Sequence, residues 1–318
     1  MLAELSASEQ ALVALLEWLS NENYRFITPT PVTHQRLWSK RQGEEAKTLS
    51  DIFGWNLPFT DALLPTNIMS LLTQADILTT TDRLHRSTVR VSSIGNRLFL
   101  HSAFPTDGEN AVFFGPDTYR FVNFVRQQLA NDDAKNALRI LDIGCGSGAG
   151  GLMAAQYCPQ SILTLSDISP IALRYSAINS HSNAQVATLV LSDVMAETPT
   201  LFDLIIANPP YLHDDFSRLY RHGGDNLGRA LSVRIASEAL EHLAVDGRLL
   251  LYTGVAIVDG DDGFLAEMST LLESEDFDWH YEEIDPDVFG EELARPVYHQ
   301  AERIAVVGLS VRKCRPYY

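Results

Sequence analysis

The chain has 318 residues, 46% of them apolar and 20% charged. These are the proportions of a folded protein with a core, which excludes disorder as the main state. Length alone makes two domains the expectation, at roughly 100–200 residues each. The net charge of −17 is unevenly divided: residues 1–130 hold 11 basic and 13 acidic side chains, residues 131–318 hold 13 and 28. Asp259 to Glu292 alone carries 14 acids and no Lys or Arg. Such a field repels phosphate backbones and argues against non-specific nucleic-acid binding by this half; as a surface it reads as a solvated face. No apolar run approaches the roughly 20 residues of a membrane span. The start Met-Leu-Ala-Glu-Leu has no basic residues, so no secretory leader is expected. Cys145, Cys158 and Cys314 form neither a disulfide framework nor a metal-ligand spacing, which fits a cytoplasmic protein without a metal.

In chain order, residues 6–21 read as a helix, with Leu12, Leu15, Leu16 and Leu19 at helical spacing behind a serine. Two prolines break the pattern over residues 28–32. Short helices are expected over 48–53 and 67–74. Residues 77–102 then switch to β-favouring runs, with Ile94-Gly95-Asn96 as a hairpin turn. Helices followed by a hairpin suggest a small, winged-helix-like α/β domain. Arg83, Arg86, Arg90 and Arg97 lie in the hairpin region, either as a basic wing that touches RNA or an acidic protein face, or as ordinary exposed side chains. The domain boundary is placed near 105–115, dividing a substrate-recognition domain (1–105) from a catalytic one (110–318). Residues 117–129 form a linking helix.

From Leu138 strands and helices alternate. Strands are expected over 138–143, 162–166, 186–191, 202–207, 248–252, 279–284 and 304–311, with helices over 151–156, 171–180 and 229–243. That alternation calls for a parallel sheet covered on both faces.

The chemistry centres on Leu138-Arg-Ile-Leu-Asp-Ile-Gly-Cys-Gly-Ser-Gly148. A strand ends at Asp142, and Gly144, Gly146 and Gly148 let the backbone turn sharply and leave a ligand free to lie against it. Gly146-x-Gly148-x-x-Gly151, with Asp167 about 20 residues on, also fits a dinucleotide site, so the loop alone admits an NAD-dependent oxidoreductase. Three acids argue otherwise. Asp142, immediately before the loop, favours a cationic ligand and would repel a pyrophosphate. Asp167, at the end of the second strand, is placed to take two ribose hydroxyls. Asp193, at the end of the third, is placed to accept from an adenine amino group. Each acid taken singly could be a helix cap or turn residue.

Asn208-Pro209-Pro210-Tyr211 ends the fourth strand. Two prolines cannot continue a central strand. They form a rigid stub that presents the Asn208 side-chain amide and the Pro209 carbonyl to the cleft. Two acceptors can orient one planar NH₂ group, and Tyr211 offers an aromatic face or edge to hold it.

Asp142-Ile-Gly-Cys-Gly-Ser-Gly148, Asp167-Ile-Ser-Pro170, Asp193 and Asn208-Pro-Pro-Tyr211 together resemble the class I S-adenosylmethionine-dependent methyltransferases of the Asn-Pro-Pro-Tyr type. Within them the chain looks most similar to the HemK/PrmC release-factor glutamine methyltransferases, over roughly residues 110–315. Gly115-Pro-Asp-Thr118 and His222-Gly-Gly-Asp-Asn-Leu-Gly228 add to the resemblance. Gly115 and Asn226 depart from it, and residues 1–105 do not read like that family's recognition domain. The resemblance implies a Rossmann-like sheet of seven strands with the last antiparallel. It implies a cofactor site of Asp142, Gly144, Cys145, Gly146, Gly148, Asp167, Ile168, Asp193, Val194 and Asn208, holding S-adenosylmethionine and its product S-adenosylhomocysteine. The expected reaction is N-methylation of a planar nitrogen by Asn208, Pro209, Pro210 and Tyr211. The expected acceptor is a release-factor-like protein's glutamine, with an exocyclic base amine of structured RNA as the alternative.

Overall fold

The computed structural model describes residues 4–106, 108, 110–130, 138–198, 200–214, 218–274 and 276–315. Helix α1 (Ala7–Asn21) opens with a capping box: the Ser6 hydroxyl accepts from the Glu9 amide, and the Glu9 carboxylate accepts from the Ser6 amide at 2.8 Å. Its four leucines are buried, as their spacing requires. Helix α2 (Pro31–Lys40) was not anticipated. The prolines that break the helical pattern also start a new helix, because Pro31 stands in the first turn, where an amide has no helical partner. Helices α3 (Leu49–Phe53) and α4 (Thr66–Gln74) follow.

Two hairpins then occupy the span where one was expected. Strands β1 (Leu78–Thr81) and β2 (Leu84–Ser87) turn at Asp82-Arg83, and β3 (Val89–Ile94) and β4 (Arg97–Ser102) turn at Gly95-Asn96. These elements enclose one hydrophobic cluster, which also takes in Ile178 from the next unit.

The hairpin arginines do not form a basic surface. Strand β3 is covered on both faces, so Arg90 is only 3% exposed, donating to Ser102 O at 3.2 Å with its Nη1 3.3 Å from His34 Nδ1. Burial lowers its pKa to about 10, so it stays charged. Arg97 donates to Asn183 O at 3.1 Å, and Arg86 lies 4.8 Å over the Trp38 ring. Of the four, Arg83 at the β1–β2 turn is the one that is exposed.

Helix α5 (Pro116–Ala130) leads into the second unit. Its elements are β5 (Arg139–Ile143), α6 (Ala149–Tyr157), β6 (Ile162–Asp167), α7 (Pro170–Ser182), β7 (Ala187–Leu191), β8 (Phe202–Ala207), α8 (Ala230–Glu241), β9 (Leu243–Val258), the two-residue β10 (Asp261–Asp262), α9 (Gly263–Leu271), β11 (Phe277–Asp285) and β12 (Ala301–Lys313). The strands join in the order β11-β12-β9-β8-β5-β6-β7, with β10 paired to β9. Strands β5 to β9 pair in parallel, and β12 runs antiparallel to both its neighbours. This is the doubly wound sheet with a reversed last strand. The chain leaves β5 for β6 on one side and returns to β8 on the other, so a crevice opens at the carboxyl ends of β5 and β8.

The acidic stretch is more than a solvated face. It contains α9, capped by Asp262, whose Phe264 and Met268 are buried; β11, the sheet's edge; and the buried Glu292. Among the described residues, no helix is long and apolar enough to cross a membrane.

Candidate active site

The pleat of β5 decides where the first acid points. Ile140 packs with Phe121 and Leu152 from α5 and α6, whereas Leu141 and Ile143 pack in the cluster that holds Ile235 and Ala239 of α8. Side chains alternate along a strand, so Asp142 faces α6. There its Oδ2 accepts from Gly151 N at 2.7 Å, and it is only 2% exposed. Gly150 and Gly151 make room: a Cβ on Gly150 would stand 2.4 Å from the Phe121 ring, and one on Gly151 2.5 Å from the Leu165 side chain. Burial raises the Asp142 pKa to about 7 against the opposing Gly151 hydrogen bond, and the nearby Asp167 carboxylate adds to the rise. The Asp142 carboxyl is therefore committed on one side to α6, and is not wholly available to a ligand as the sequence reading supposed.

Asp167, at the end of β6, accepts from Gly146 N at 2.9 Å and Ser169 N at 2.8 Å, one bond to each oxygen. These bonds tie the glycine loop to β6, and the carboxylate's two oxygens keep capacity to accept from a ligand. Burial raises its pKa. Asp193 stands two residues beyond β7, not at its tip, and both its oxygens accept from Arg234 of α8, the shorter contact being 2.9 Å. An adenine amino group there would share the carboxylate with a guanidinium.

Asp142, Gly144, Cys145, Gly146, Asp167, Ile168, Asp193, Val194 and the whole Asn208–Tyr211 stub line one cavity of about 360 Å³, a size usual for small-molecule sites. Gly148 is not in its lining: it starts α6 at φ 76°, and a Cβ there would meet Leu165 and Ser176. Its role is to turn the chain. Over Gly144 the opposite holds, since an added methyl would have no atom within 4 Å. The open cradle there, the two-oxygen acceptor at Asp167 and apolar Ile168 and Val194 suit an adenosine bearing an amino-acid tail. The Cys145 thiol is buried 3.4 Å from Ser176 Oγ, and burial holds its pKa well above the usual thiol range. Burial and the nearby Asp167 and Asp142 carboxylates disfavour the thiolate that a nucleophile needs. Among the described residues, no group of three or more His, Cys, Asp or Glu side chains is arranged to hold a metal.

At the far side of the cavity Asn208 is half-buried, and its side-chain amide makes no hydrogen bond to another described residue. Tyr211 is fixed. Its hydroxyl donates to Asp117 Oδ2, and Tyr252 Oη donates to Asp117 Oδ1 at 3.1 Å. Its ring lies against Gly254, where a Cβ would come within 2.2 Å. The His222–Gly228 stretch presses on its backbone: a Cβ on Gly228 would stand 2.2 Å from Tyr211 O. Phe113, Tyr220 and Phe289 wall the same end, with the Phe113 and Tyr220 rings 6.1 Å apart and nearly parallel. Pro31, at the start of α2, also lines the cavity.

Two residues outside the expected site organise this region. Asp117, which stands in the Gly115-Pro-Asp-Thr118 stretch but carries no role in the sequence, is one. Asn179 of α7 is the other: fully buried, it donates to Ser147 O in the glycine loop at 2.8 Å and to Leu100 O at 3.0 Å, and accepts from Leu100 N at 2.7 Å. It joins β4 of the first unit to the glycine loop of the second. No spacing in the chain marks a contact between residues 79 apart.

Comparison with known proteins gives the same chemistry. Residues 123–255 match the family described as Methyltransferase small domain. The chain is 31% identical over 185 residues to the release factor glutamine methyltransferase of Lactococcus lactis, covering 54% of this chain and 66% of that enzyme. It is 29% identical over 240 residues to the enzyme of the same name from Streptococcus pneumoniae, covering 67% and 80%. With the ribosomal RNA small subunit methyltransferase C of Pasteurella multocida it shares 41% identity over 83 residues, a quarter of each chain. Among solved structures, M. jannaschii TYW2 in complex with AdoMet aligns over 72% of this chain and 87% of its own, at 13% identity and a TM-score of 0.48.

Proposed function

We propose, for a chain that belongs to the class I S-adenosylmethionine-dependent methyltransferases, transfer of the methyl group to the side-chain amide nitrogen of a protein glutamine. The observation that carries this reading is Asn208: an amide with no hydrogen-bond partner among the described residues, at the rim of the cofactor cavity, on a stub stiffened by two prolines. The cofactor supplies an electrophilic methyl on a positively charged sulfur. Asp167 holds the ribose end, Asp193 the adenine end, and Gly144, Cys145 and Gly146 present backbone to the amino-acid tail, with Ile168 and Val194 as apolar contacts. Gly148 serves the site through the turn into α6.

Asn208 Oδ1 and the Pro209 carbonyl accept from the two hydrogens of the substrate NH₂, with Pro210 and Tyr211 fixing their direction. An amide nitrogen is a poor nucleophile because its lone pair is delocalised. Holding both hydrogens aims that nitrogen at the methyl and stabilises the positive charge it gains during attack; the surplus proton then leaves to solvent. Phe113, Tyr220 and Phe289 offer an apolar wall to an aliphatic side chain. Residues 1–105 act in substrate recognition, a role supported by Pro31 reaching the cavity.

The RNA reading loses its main support with the hairpin arginines, which point to different partners. The similarity to the ribosomal RNA enzyme covers only 83 residues and so bears on the methyl-transfer core. The test is chemical. Protein labelled with methyl-tritiated cofactor is hydrolysed in acid. An N-methyl amide releases labelled methylamine, whereas a methylated base keeps its label on the base.

A further inference from the structure

We infer that Asp117 is a positioning residue for methyl transfer, acting through the Tyr211 hydroxyl on the rigid stub that carries Asn208. Asp117 lies in the first turn of α5, 94 residues from Tyr211, and is 6% exposed. Its carboxylate takes Tyr211 Oη on one oxygen and Tyr252 Oη on the other. Arg120 Nη1 approaches the second oxygen at 3.4 Å, and its Nη2 pairs with Asp285 of β11 at 2.8 Å. A buried carboxylate is costly unless it is hydrogen-bonded or paired, and this one has three donors.

The mechanical link is short. Tyr211 is held at its hydroxyl by Asp117, at its ring by Gly254 and at its backbone by Gly228. Between it and Asn208 stand only Pro209 and Pro210, each with φ locked near −65°. Rotation at Tyr211 is therefore passed to Asn208 with little loss, and acceptors that orient a nucleophile tolerate little misplacement. Tyr252 lies on β9, beside the start of the stub but outside its chain, so its bond to Asp117 supports the carboxylate without turning the Pro209-Pro210 segment that carries Asn208.

The inference rests on methyl transfer at this site and holds whichever acceptor is used. Asp117→Asn, Tyr211→Phe, Tyr252→Phe and the Asp117→Asn/Tyr211→Phe double variant are compared with wild type. Transfer of tritiated methyl into lysate acceptor is followed at saturating S-adenosylmethionine, S-adenosylhomocysteine affinity is measured by calorimetry, and melting temperature is recorded. Tyr211→Phe and Asp117→Asn are each expected to lower the maximal rate about tenfold while affinity for the product cofactor stays within about twofold. The double variant is expected to match the worse single one, because both changes break one link. Tyr252→Phe is expected to keep most of the rate. Additive losses in the double variant, a wild-type rate in Tyr211→Phe, or a Tyr252→Phe loss equal to that of Tyr211→Phe each overturn the inference. Should Asp117→Asn fail to fold, the two tyrosine variants still decide it. No transfer by wild type would instead overturn the methyl-transfer reading of the site.

Discussion

Asp142 Oδ2 accepts a 2.7 Å hydrogen bond from the amide of Gly151, so the acid that precedes the glycine loop is anchored beneath α6. Its pKa of about 7 makes cofactor binding depend on pH near neutrality. A positively charged ligand favours the ionised form, so affinity rises as pH rises through that value. S-adenosylmethionine should bind roughly tenfold more tightly at about pH 8 than at about pH 6. Asp167, also raised by burial, contributes in the same direction. Calorimetry on wild type and Asp142→Asn separates the two, since the variant should lose most of the slope.

The same shift acts on the stability of the free protein with the opposite sign. In the unfolded chain Asp142 ionises near 4, in the folded one near 7. Across that window the folded state holds the proton and the unfolded state does not, so stability falls as pH rises. Asp142→Asn should remove this fall, which thermal melts at the two ends of the window would detect. Equal pH dependence in wild type and variant would contradict the burial account.

Asn179 should matter to both units at once. Asn179→Ala removes three buried hydrogen bonds and leaves Leu100 and Ser147 backbone groups unpaired. A cost of at least about 3 kcal/mol is expected, at roughly 1–3 for each of the three unsatisfied groups. Denaturant melts measure it. Weaker S-adenosylhomocysteine binding should accompany the loss, because Ser147 belongs to the glycine loop that lines the proposed cofactor cavity.

The Asp193–Arg234 pair separates stability from binding. Both side chains are about half exposed, so breaking the pair should cost less than about 1 kcal/mol. Asp193→Ala should weaken cofactor binding severalfold, whereas Arg234→Ala should leave it within about twofold. Equal losses in the two variants would mean that the ion pair as a unit, not the carboxylate alone, serves the ligand.

The second unit was more legible in the sequence than the first. Its strands are short apolar runs separated by helices, and every parallel pair obeys that pattern. Asp142, Asp167 and the Asn208–Tyr211 stub were visible because loops at strand ends are local in sequence. The failures were non-local. Nothing around Arg90 announces that β3 is covered on both faces by helices and Phe104. Pro31 carries two meanings, an interruption and a helix start, and α2 follows from the second. The bonds of Asp117 and Asn179 to distant elements exist only once the sheet is assembled.

Replacing Asn208 tests the central claim most directly. Wild type, Asn208→Ala and Asn208→Asp are incubated with methyl-tritiated S-adenosylmethionine and the same lysate, and the product is divided by protease and nuclease treatment. Label is expected in the protease-sensitive, nuclease-resistant fraction. It should fall about 100- to 1000-fold in Asn208→Ala, by analogy with loss of one oriented oxyanion-hole donor, with S-adenosylhomocysteine affinity nearly unchanged. Asn208→Asp, which keeps an acceptor, should retain more activity than the alanine variant. Wild-type labelling by Asn208→Ala, or label that nuclease removes, would contradict the account.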